Sequence, residues 1–309
     1  MCEPGVMAED VFGLKDFVSV NCNLCGSDEY EIYGREQSAA EPILHRTAVQ
    51  CKKCGLVYSN PQATREILQD FYNATYPNLS EYLEHVERLK PYHQTFFSSL
   101  KERRKRGRFL DIGCATGHLL KVGQEFGWDV YGVELSETFS RYARETLGLR
   151  NIFTGELSEA HYPDRFFDYI NMWHTLEHVP DATRVLTEVA RIMKDDGELR
   201  IGVPNIAEPY HWTSRLSCWL KGEMSGMPSS DHHTYHFTPT TLRKMVEKVG
   251  LVIDEMRLYY DPSDHDIPEG TNWKGILERR LISTLAKLFH NRAGFRMFAR
   301  VLKHTGACE

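Results

Sequence analysis

The sequence predicts an α/β protein, a doubly wound and mostly parallel sheet with a small N-terminal module and a helical C-terminal tail. Three observations predict this class. Strand-like and helix-like segments alternate between residues 106 and 260. A loop of small residues, DIGCATG at 111–117, joins the first of these strands to a helix. Two copies of the short piece C-x2-C-G precede the alternation.

Composition sets the broad class. The chain has 309 residues, of which 41% are hydrophobic and 26% charged, with a formal net charge of −6. This length allows one large domain and a smaller module, and the balance is typical of a soluble globular protein. The acidic charge gives no general preference for nucleic acid. The first residues, MCEPGVMAEDVF, lack the features of a secretory signal, so we expect a cytoplasmic protein.

Four of the eight cysteines form the two C-x2-C-G pieces. They are Cys22, Cys25, Cys51 and Cys54. Two intervening residues let both thiolates of a pair face one ion, and the glycine that follows permits the tight turn. The spacing predicts a zinc ribbon over residues 1–61 with a structural Zn2+. Iron is the chemical alternative, because four thiolates suit both metals. The ribbon could hold RNA, contact a substrate or only stabilise a small lobe.

Residues 62–105 are predicted to be a helical connector. Apolar residues recur at helical spacing through 63–74 and again through about 80–105. The connector ends in a basic run, KERRKRGR at 101–108. Such a run suits a solvated helix end, where cations are favourable, and could also bind phosphate.

The alternation that follows predicts six strands and four helices. The strands are 108–112, 128–133, 151–153, 166–171, 198–203 and 251–259. The helices are 117–126, 137–147, 181–194 and 239–249. Ser136, Asp181 and Thr238 mark three of the helix starts, because their side chains accept hydrogen bonds from backbone N–H groups of the first turn.

The first strand-to-helix turn carries the candidate ligand site. The strand ends at Asp111, and small residues follow at alternate positions before the helix. They are Gly113, Ala115 and Gly117. A dinucleotide site would have glycine where His118 stands, so the loop does not fit NAD. Glu134 ends the second strand, where a carboxylate accepts hydrogen bonds from ribose hydroxyls. A tight turn without a ligand is the alternative.

These segments together resemble a known family. The motif D-x-G-x-x-x-G, the acidic strand end, FDYINMWHTLEHVPD and LTEVARIMKDDGELRIGVPN are similar to the Rossmann-like (class I) S-adenosylmethionine-dependent methyltransferases. The similarity covers residues 106–260. With a zinc ribbon in front, the chain resembles bacterial members that modify sugars, glycans and other small metabolites. The resemblance implies S-adenosylmethionine as methyl donor and O- or C-methylation of a small-molecule acceptor such as a sugar or glycan precursor.

The resemblance also implies cofactor contacts by position. The residues that would cradle the methionine part are Asp111, Gly113, Ala115 and Gly117. Glu134 and Leu135 would hold the ribose and flank the adenine, and Glu156 and Leu157 would meet the adenine edge. Glycine is commoner in the family at the position of Ala115, but alanine is still small.

The pentapeptide HTLEH fits H-x-x-E-H, which on a helix binds zinc in peptidases. Pro180 follows the preceding strand so closely that barely two helical turns fit, which argues against a peptidase. In the resembled family this loop lies beside the cofactor, at the carboxyl edge of the sheet. His174 would there act as general base or orient the acceptor, whereas Glu177 and His178 are commonly structural.

A second histidine cluster, SSDHHTYHFT, occupies residues 229–238. In the resembled sugar methyltransferases an E-H-x-x-Y-F-like segment takes this place and supplies a base. Aligning Tyr235 puts His232 and His233 at the E-H pair, so the glutamate is absent and Asp231 is the candidate orienting carboxylate. His233 is the leading candidate base, because an imidazole titrates near neutral pH. The cluster is also a candidate metal site.

Two further segments bear on partners. The aromatic segment at 204–220 predicts an acceptor lid or ordinary helix packing. Residues 261–309 read as an amphipathic, basic helical tail. Such a tail packs on its own domain or contacts an anionic membrane surface, and membrane contact would suit a lipid-linked acceptor.

Two other functions stay open. An RNA methyltransferase would hold RNA with the ribbon and carry basic surface around its cleft. A non-catalytic binding protein would keep the fold without methyl transfer.

Overall fold

The computed structural model describes residues 17–35, 47–75, 79–207, 233–259 and 296–303. Its strands form a central seven-stranded sheet, a four-stranded sheet in the N-terminal module and a two-stranded pair. Within these ranges, no helix has the length and apolar character needed to cross a membrane.

The N-terminal module is built from short strands. They are β1 (Phe17–Val18), β2 (Tyr30–Arg35), β3 (Thr47–Cys51), β4 (Val57–Ser59) and β5 (Gln62–Ala63). Strands β2, β3 and β4 pair antiparallel, and β1 pairs with β5. Strand β2 follows the first cysteine pair, and β3 leads into the second at Cys51.

Three helices form the connector, as its apolar spacing predicted. They are α1 (Arg65–Thr75), α2 (Leu79–Arg88) and α3 (Lys90–Arg103). Helix α3 buries Phe97 and Leu100 completely in an aromatic core that also contains Phe109, Trp128 and Tyr169. The connector thus covers one face of the central sheet, since those three partners lie on or beside its strands.

The main domain continues the alternation. Its strands are β6 (Arg108–Ile112), β7 (Asp129–Glu134), β8 (Ile152–Thr154), β9 (Phe167–Trp173), β10 (Met193–Pro204), β11 (Tyr235–His236), β12 (Leu251–Tyr259) and β13 (Arg296–Lys303). Its helices are α4 (His118–Glu125), α5 (Glu137–Arg141, continued as a π-helix over Tyr142–Thr146), α6 (Ala182–Ile192) and α7 (Pro239–Glu247). Ser136, Asp181 and Thr238 cap α5, α6 and α7 as predicted, each accepting the N–H of the residue three positions later.

The central sheet has the order β12-β13-β10-β9-β6-β7-β8. The five strands from β10 to β8 are parallel, and β13 is antiparallel to both of its neighbours. The predicted doubly wound, mostly parallel sheet is therefore confirmed. Its ligand edge is the one formed by the carboxyl ends of the parallel strands.

The predicted helical tail over 261–309 is wrong in its last part. Residues 296–303 form β13, which fills the place between β10 and β12. Val301 of this strand lies opposite Leu199 of β10 and is completely buried. Without this strand β10 and β12 would each present unpaired backbone groups, and pairing satisfies both. The rest of the tail lies outside the described residues.

Candidate functional site

Three polar side chains meet in register in the middle of the sheet. Asp111 of β6 lies opposite Asn171 of β9, which lies opposite Arg200 of β10. Asn171 Nδ2 donates to Asp111 Oδ1 at 2.7 Å, and Arg200 donates to Asn171 Oδ1 at 3.3 Å. Burial raises the pKa of Asp111 to about 7, against the opposing effects of that hydrogen bond and of the Arg200 charge. The sequence analysis missed Asn171 and Arg200, although their matching positions on apolar strands were a signal.

Arg200 is a buried cation held by the connector. Its guanidinium lies 3.9 Å from the ring centre of Trp173 and 4.5 Å from that of Phe96, and it donates to the Tyr92 hydroxyl at 2.8 Å. Cation–π contacts of this kind partly replace lost hydration. Helix α3 therefore contributes to the site as well as to the core.

The loop after β6 is organised by Glu134. Its carboxylate accepts the N–H of Ala115 at 2.9 Å and the N–H of Ser136 at 2.8 Å. Burial raises the pKa of Glu134, and these N–H donors oppose that rise. A carboxylate accepts about four hydrogen bonds, so acceptor sites remain for two hydroxyl groups. This acceptor chemistry fits the ribose hydroxyls of the S-adenosylmethionine that the resemblance implies.

Glycine in this loop serves the packing of the protein itself. A Cβ atom on Gly113 would lie 2.5 Å from Thr175 Oγ1, and one on Gly117 would lie 2.6 Å from Leu149. Thr175 Oγ1 also donates to the carbonyl of Ile112 at 2.8 Å. Gly113 therefore allows a tight contact between this loop and the loop that carries HTLEH, and the role of these small residues in cofactor binding stays a prediction.

The remaining predicted cofactor residues occupy different environments. Leu135 is half-buried next to Glu134. Glu156 caps a short 3-10 helix at Leu157–Ala160, and it lies 3.4 Å from the guanidinium of Arg65. Leu157 is buried in the main core. Their contacts with adenine stay predictions.

HTLEH forms a turn and not a helix, so the geometry of a zinc peptidase helix is absent from these five residues. His174 has a left-handed backbone with φ of 52°, and its N–H donates to the carbonyl of Gly202 at 2.9 Å. Its Nδ1 donates to Glu177 Oε1 at 3.0 Å. The Glu177 side chain is 1% exposed, whereas that of His174 is 28% exposed. A buried carboxylate therefore orients a histidine at the ligand edge of the sheet.

Glu177 also faces two other histidines. One ligand atom from each of Glu177, His178 and His233 lies within 4.8 Å of the others, and the rings of His178 and His233 are 4.7 Å apart. Burial alone would raise the pKa of Glu177, but the hydrogen bond from His174 and the charges of the histidines lower it to about 2. The sequence analysis took Glu177 and His178 as structural, and only the fold brings His233 to them.

The N-terminal module holds His233 in place. Strand β11 pairs antiparallel with β4, so the main domain supplies the fourth strand of the module's sheet. His233 lies just before β11, and its carbonyl accepts a hydrogen bond from the Ser59 hydroxyl at 2.9 Å. On the other side, the N–H of Thr234 donates to the carbonyl of Glu177 at 2.8 Å. The segment from the second histidine cluster thus lies between the module and the HTLEH turn.

A second contact docks the module onto α6 and α7. Asn23, between the first two cysteines, donates to Asp181 at 2.8 Å and accepts the N–H of Thr183 at 2.9 Å. Lys248 Nζ donates to the carbonyl of Asn23 at 2.7 Å. The module therefore contacts the main domain at two places, Asn23 and β4.

The four predicted cysteine ligands are together. Cys22 Sγ is 3.4 Å from Cys54 Sγ, and Cys25 Sγ is 3.5 Å from Cys51 Sγ. Four sulfurs at zinc distance from one ion would be about 3.8 Å apart. Burial raises the pKa of Cys22 to about 11, so a metal that binds all four sulfurs must displace protons. The sulfur donor set and its spacing fit a tetrahedral metal ion.

Other predicted features lie outside the described residues. These are His232, Asp231 and most of the aromatic segment, from 208 to 220.

Comparison with known proteins identifies a family to which the chain is similar. Residues 79–256 match the family model of a methyltransferase domain. The ubiquinone biosynthesis O-methyltransferase of Aeromonas salmonicida is 26% identical over 179 residues, which cover 53% of this chain and 71% of that protein. The demethylmenaquinone methyltransferase of Lactobacillus johnsonii is 27% identical over 178 residues, which cover 50% of this chain and 71% of that protein.

One solved structure is similar across most of the chain. It is the complex between the Trm112 methyltransferase activator and a methyltransferase of Haloferax volcanii. The matched chain is 16% identical with a TM-score of 0.50, over 78% of this chain and 99% of that one. This likeness shows a shared fold.

Proposed function

The chain belongs to the methyltransferase domain family and is an S-adenosylmethionine-dependent methyltransferase, and we propose that it methylates an acidic oxygen or carbon of a small molecule. Sugars and glycan precursors are the first acceptor class, because the chain resembles sugar methyltransferases that carry a zinc ribbon. Phenolic or quinone precursors are the second, because two relatives are named for ubiquinone and menaquinone biosynthesis.

The observation that carries this proposal is the pair formed by His174 and Glu177. The carboxylate fixes the proton on Nδ1 of His174, so Nε2 is the nitrogen that accepts a proton. His174 follows β9 at the ligand edge, and its neighbour Thr175 touches the cofactor loop at Gly113. A base in this position removes a proton from a hydroxyl or carbon acid as the new bond to the methyl carbon forms.

Cofactor binding is assigned to the loop after β6. S-adenosylmethionine supplies an electrophilic methyl group on a sulfonium whose thioether is the leaving group. Glu134 would accept the ribose hydroxyls, and ionised Asp111 would favour the ammonium end of the methionine part. The enzyme then has to align the acceptor in line with the methyl group, which the left-handed turn at His174 helps to fix.

The four-cysteine cluster is proposed to hold a structural Zn2+. Four thiolates leave no open coordination position, so the ion would not take part in methyl transfer. Its contribution would be to fold the module that supplies β4 and Ser59 to the site.

RNA is the less favoured acceptor. Two arginines of the basic run, Arg103 and Arg104, lie 3.4 and 3.7 Å from the buried carboxylate of Glu198. Part of the run's charge is therefore compensated within the protein, which weakens its attraction for phosphate.

The first test is cofactor binding. Purified protein is titrated with S-adenosylhomocysteine in a calorimeter beside Asp111→Ala, and we expect saturable binding that the variant loses. No binding by folded wild-type protein would overturn the cofactor assignment.

The second test is turnover. Nucleotide sugars, dihydroxyphenols and RNA are screened with labelled S-adenosylmethionine, and the active class is assayed with His174→Asn. We expect the rate of methyl transfer to fall by about 10²–10⁴ while S-adenosylhomocysteine still binds. An unchanged rate in this variant would exclude His174 as the base and leave His233 as the candidate.

A further inference from the structure

We propose that Glu177, His178 and His233 form a second metal site, which takes a divalent transition-metal ion. Each residue offers one ligand atom, and the three atoms lie within 4.8 Å of one another. Two imidazole nitrogens and one carboxylate oxygen are a donor set that zinc, manganese, iron and cobalt all accept. The two protein segments that supply them meet only because the chain has folded.

The three ligand atoms lie somewhat farther apart than they would when bound to one ion. Ligand atoms at about 2.1 Å from one ion lie about 3.0–3.4 Å apart, depending on the coordination angle. The rings of His178 and His233 stand at 76° to each other with their centres 4.7 Å apart. Binding of one ion would therefore draw the three ligand atoms closer together, and rotation of the two imidazole rings about their side-chain bonds is the movement we expect.

The carboxylate gives a second, independent indication. Glu177 is 1% exposed, and its Oε2 has no hydrogen-bond partner within the part of the chain that the structure describes. An unsatisfied buried carboxylate oxygen is unfavourable, because it has lost water without gaining a donor. A cation between Glu177 and the two histidines would satisfy that oxygen.

The surroundings hold all three ligands in place. His174 Nδ1 donates to the other oxygen of Glu177 at 3.0 Å, which fixes the plane of its carboxylate. The Thr234 hydroxyl donates to the carbonyl of His178 at 3.2 Å, and Ser59 donates to that of His233 at 2.9 Å. The contact from His174 is of the kind that orients a metal ligand, and the other two fix the backbone that carries the histidines.

Three protein ligands leave coordination positions open. An oxygen of the acceptor could occupy one of them, where the ion would lower the pKa of a hydroxyl or orient a pair of oxygens beside His174. This use of the ion rests on the proposed function, whereas binding of the ion does not.

Cobalt(II) tests the site by its visible spectrum. Protein with its zinc in place is titrated with Co2+, and binding is followed by absorption and by calorimetry. Cobalt on thiolates shows a sulfur-to-metal charge-transfer band, and cobalt on nitrogen and oxygen does not, so the two clusters are distinguished. We expect one equivalent of Co2+ to bind without that band.

Variants assign the ligands. Glu177→Gln and His178→Asn should weaken Co2+ binding by more than about 100-fold, because even outer contacts of a metal site are worth 10–100-fold. The matched control is His236→Asn, since His236 is also buried and its ring lies 6.0 Å from that of His233. The control should keep the wild-type affinity. Zinc content and thermal unfolding check that each variant folds.

The outcomes separate this proposal from the proposed function. No Co2+ binding by wild-type protein beyond the four cysteines, or unchanged binding in Glu177→Gln, would overturn the metal site. S-adenosylhomocysteine binding and methyl transfer are measured on the same protein before Co2+ is added. If these succeed while Co2+ fails to bind, the proposed function stands and the metal site alone is excluded.

Discussion

The protein gathers metal-ligating side chains in two places, and the two clusters are built in opposite ways. Each half of the four-cysteine cluster spans four residues and closes on itself, as when the N–H of Gly26 donates to the carbonyl of Cys22 at 2.7 Å. The cluster of Glu177, His178 and His233 joins two loops that are far apart in sequence. The two halves of the cysteine cluster are local turns that meet within one small module, whereas the cluster of Glu177, His178 and His233 needs pairing between the module and the main domain.

The two clusters are also connected. The cysteine module supplies β4, which pairs with β11, and Ser59 of β4 holds the carbonyl of His233. A metal ion that orders the module would therefore support the position of His233 through β4 and Ser59. The module that holds the four cysteines therefore also positions one member of the distant cluster, and we expect loss of order in the module to disturb that cluster.

The largest expected effect comes from breaking the local cluster. Cys51→Ser should lose the proposed zinc and lower the free energy of unfolding by several kcal/mol, since structural zinc sites supply about 10–16 kcal/mol of binding energy. Loss of the module's order should also release β11 and abolish Co2+ binding at the distant cluster. Zinc content, thermal unfolding and the Co2+ titration measure these effects.

Cys114→Ser is the matched control for that variant. Cys114 is buried in the cofactor loop and lies outside the cysteine cluster, so its zinc content should equal that of the wild type. Normal Co2+ binding in Cys51→Ser would show that the two clusters are independent.

The same contrast explains what the sequence could predict. The cysteine pairs and the strand–helix alternation are local patterns, and the structure brings the four cysteines together and confirms the mostly parallel sheet. Residues 296–303 were misassigned, because an apolar, basic segment suits a helix as well as a strand until the vacancy between β10 and β12 is known. Glu177 and His178 gain their partner His233 only through the pairing of β11 with β4.

A second expected effect separates chemistry from metal binding. Glu177→Gln removes the carboxylate charge beside His174 but leaves an oxygen that can accept its Nδ1–H. We expect methyl transfer to slow by about 10²-fold or more, the lower end of the range for general base catalysis. Affinity for S-adenosylhomocysteine should not change, because Glu177 is not among the residues predicted to contact the cofactor.

Steady-state kinetics with and without added Co2+ sharpen this result. If activity of the wild type does not respond to Co2+ but Glu177→Gln is slow, the carboxylate acts through His174 alone. If Co2+ stimulates only the wild type, the carboxylate also acts through the ion.

A third effect is the pH dependence of cofactor binding, which should be independent of both clusters. Burial raises the pKa of Asp111 from 3.8 to about 7, so the carboxyl is protonated below that pH and ionised above it. Affinity for S-adenosylhomocysteine should therefore rise as pH increases through about 7, by roughly 10-fold or more, because hydrogen bonds to a charged group contribute about 1.5–3 kcal/mol. The gain should stop at the higher pH at which the ligand's own ammonium group loses its proton.

Asp111→Asn is the control for the titration. Its side chain has a similar shape and no charge to titrate, so the affinity should be weaker and should lack the rise near pH 7. Calorimetry from pH 5.5 to 8, at about half-unit steps chosen to bracket the pKa, measures both proteins. A rise that persists in Asp111→Asn would assign the titration to another group.

The smallest expected effect tests the link between the clusters. Ser59 is completely buried, and its hydroxyl donates to the carbonyl of His233 at 2.9 Å. Ser59→Ala removes that donor and leaves a buried carbonyl with one partner fewer, which costs about 1–3 kcal/mol. Part of this cost should appear as weaker Co2+ binding at the cluster of Glu177, His178 and His233, by up to about 10-fold. Zinc content should stay at the wild-type level. Ser99→Ala, at an exposed position of α3, should change neither quantity. Equal Co2+ affinity in Ser59→Ala and wild type would mean that strand pairing alone positions His233 and that this hydroxyl contributes only to stability.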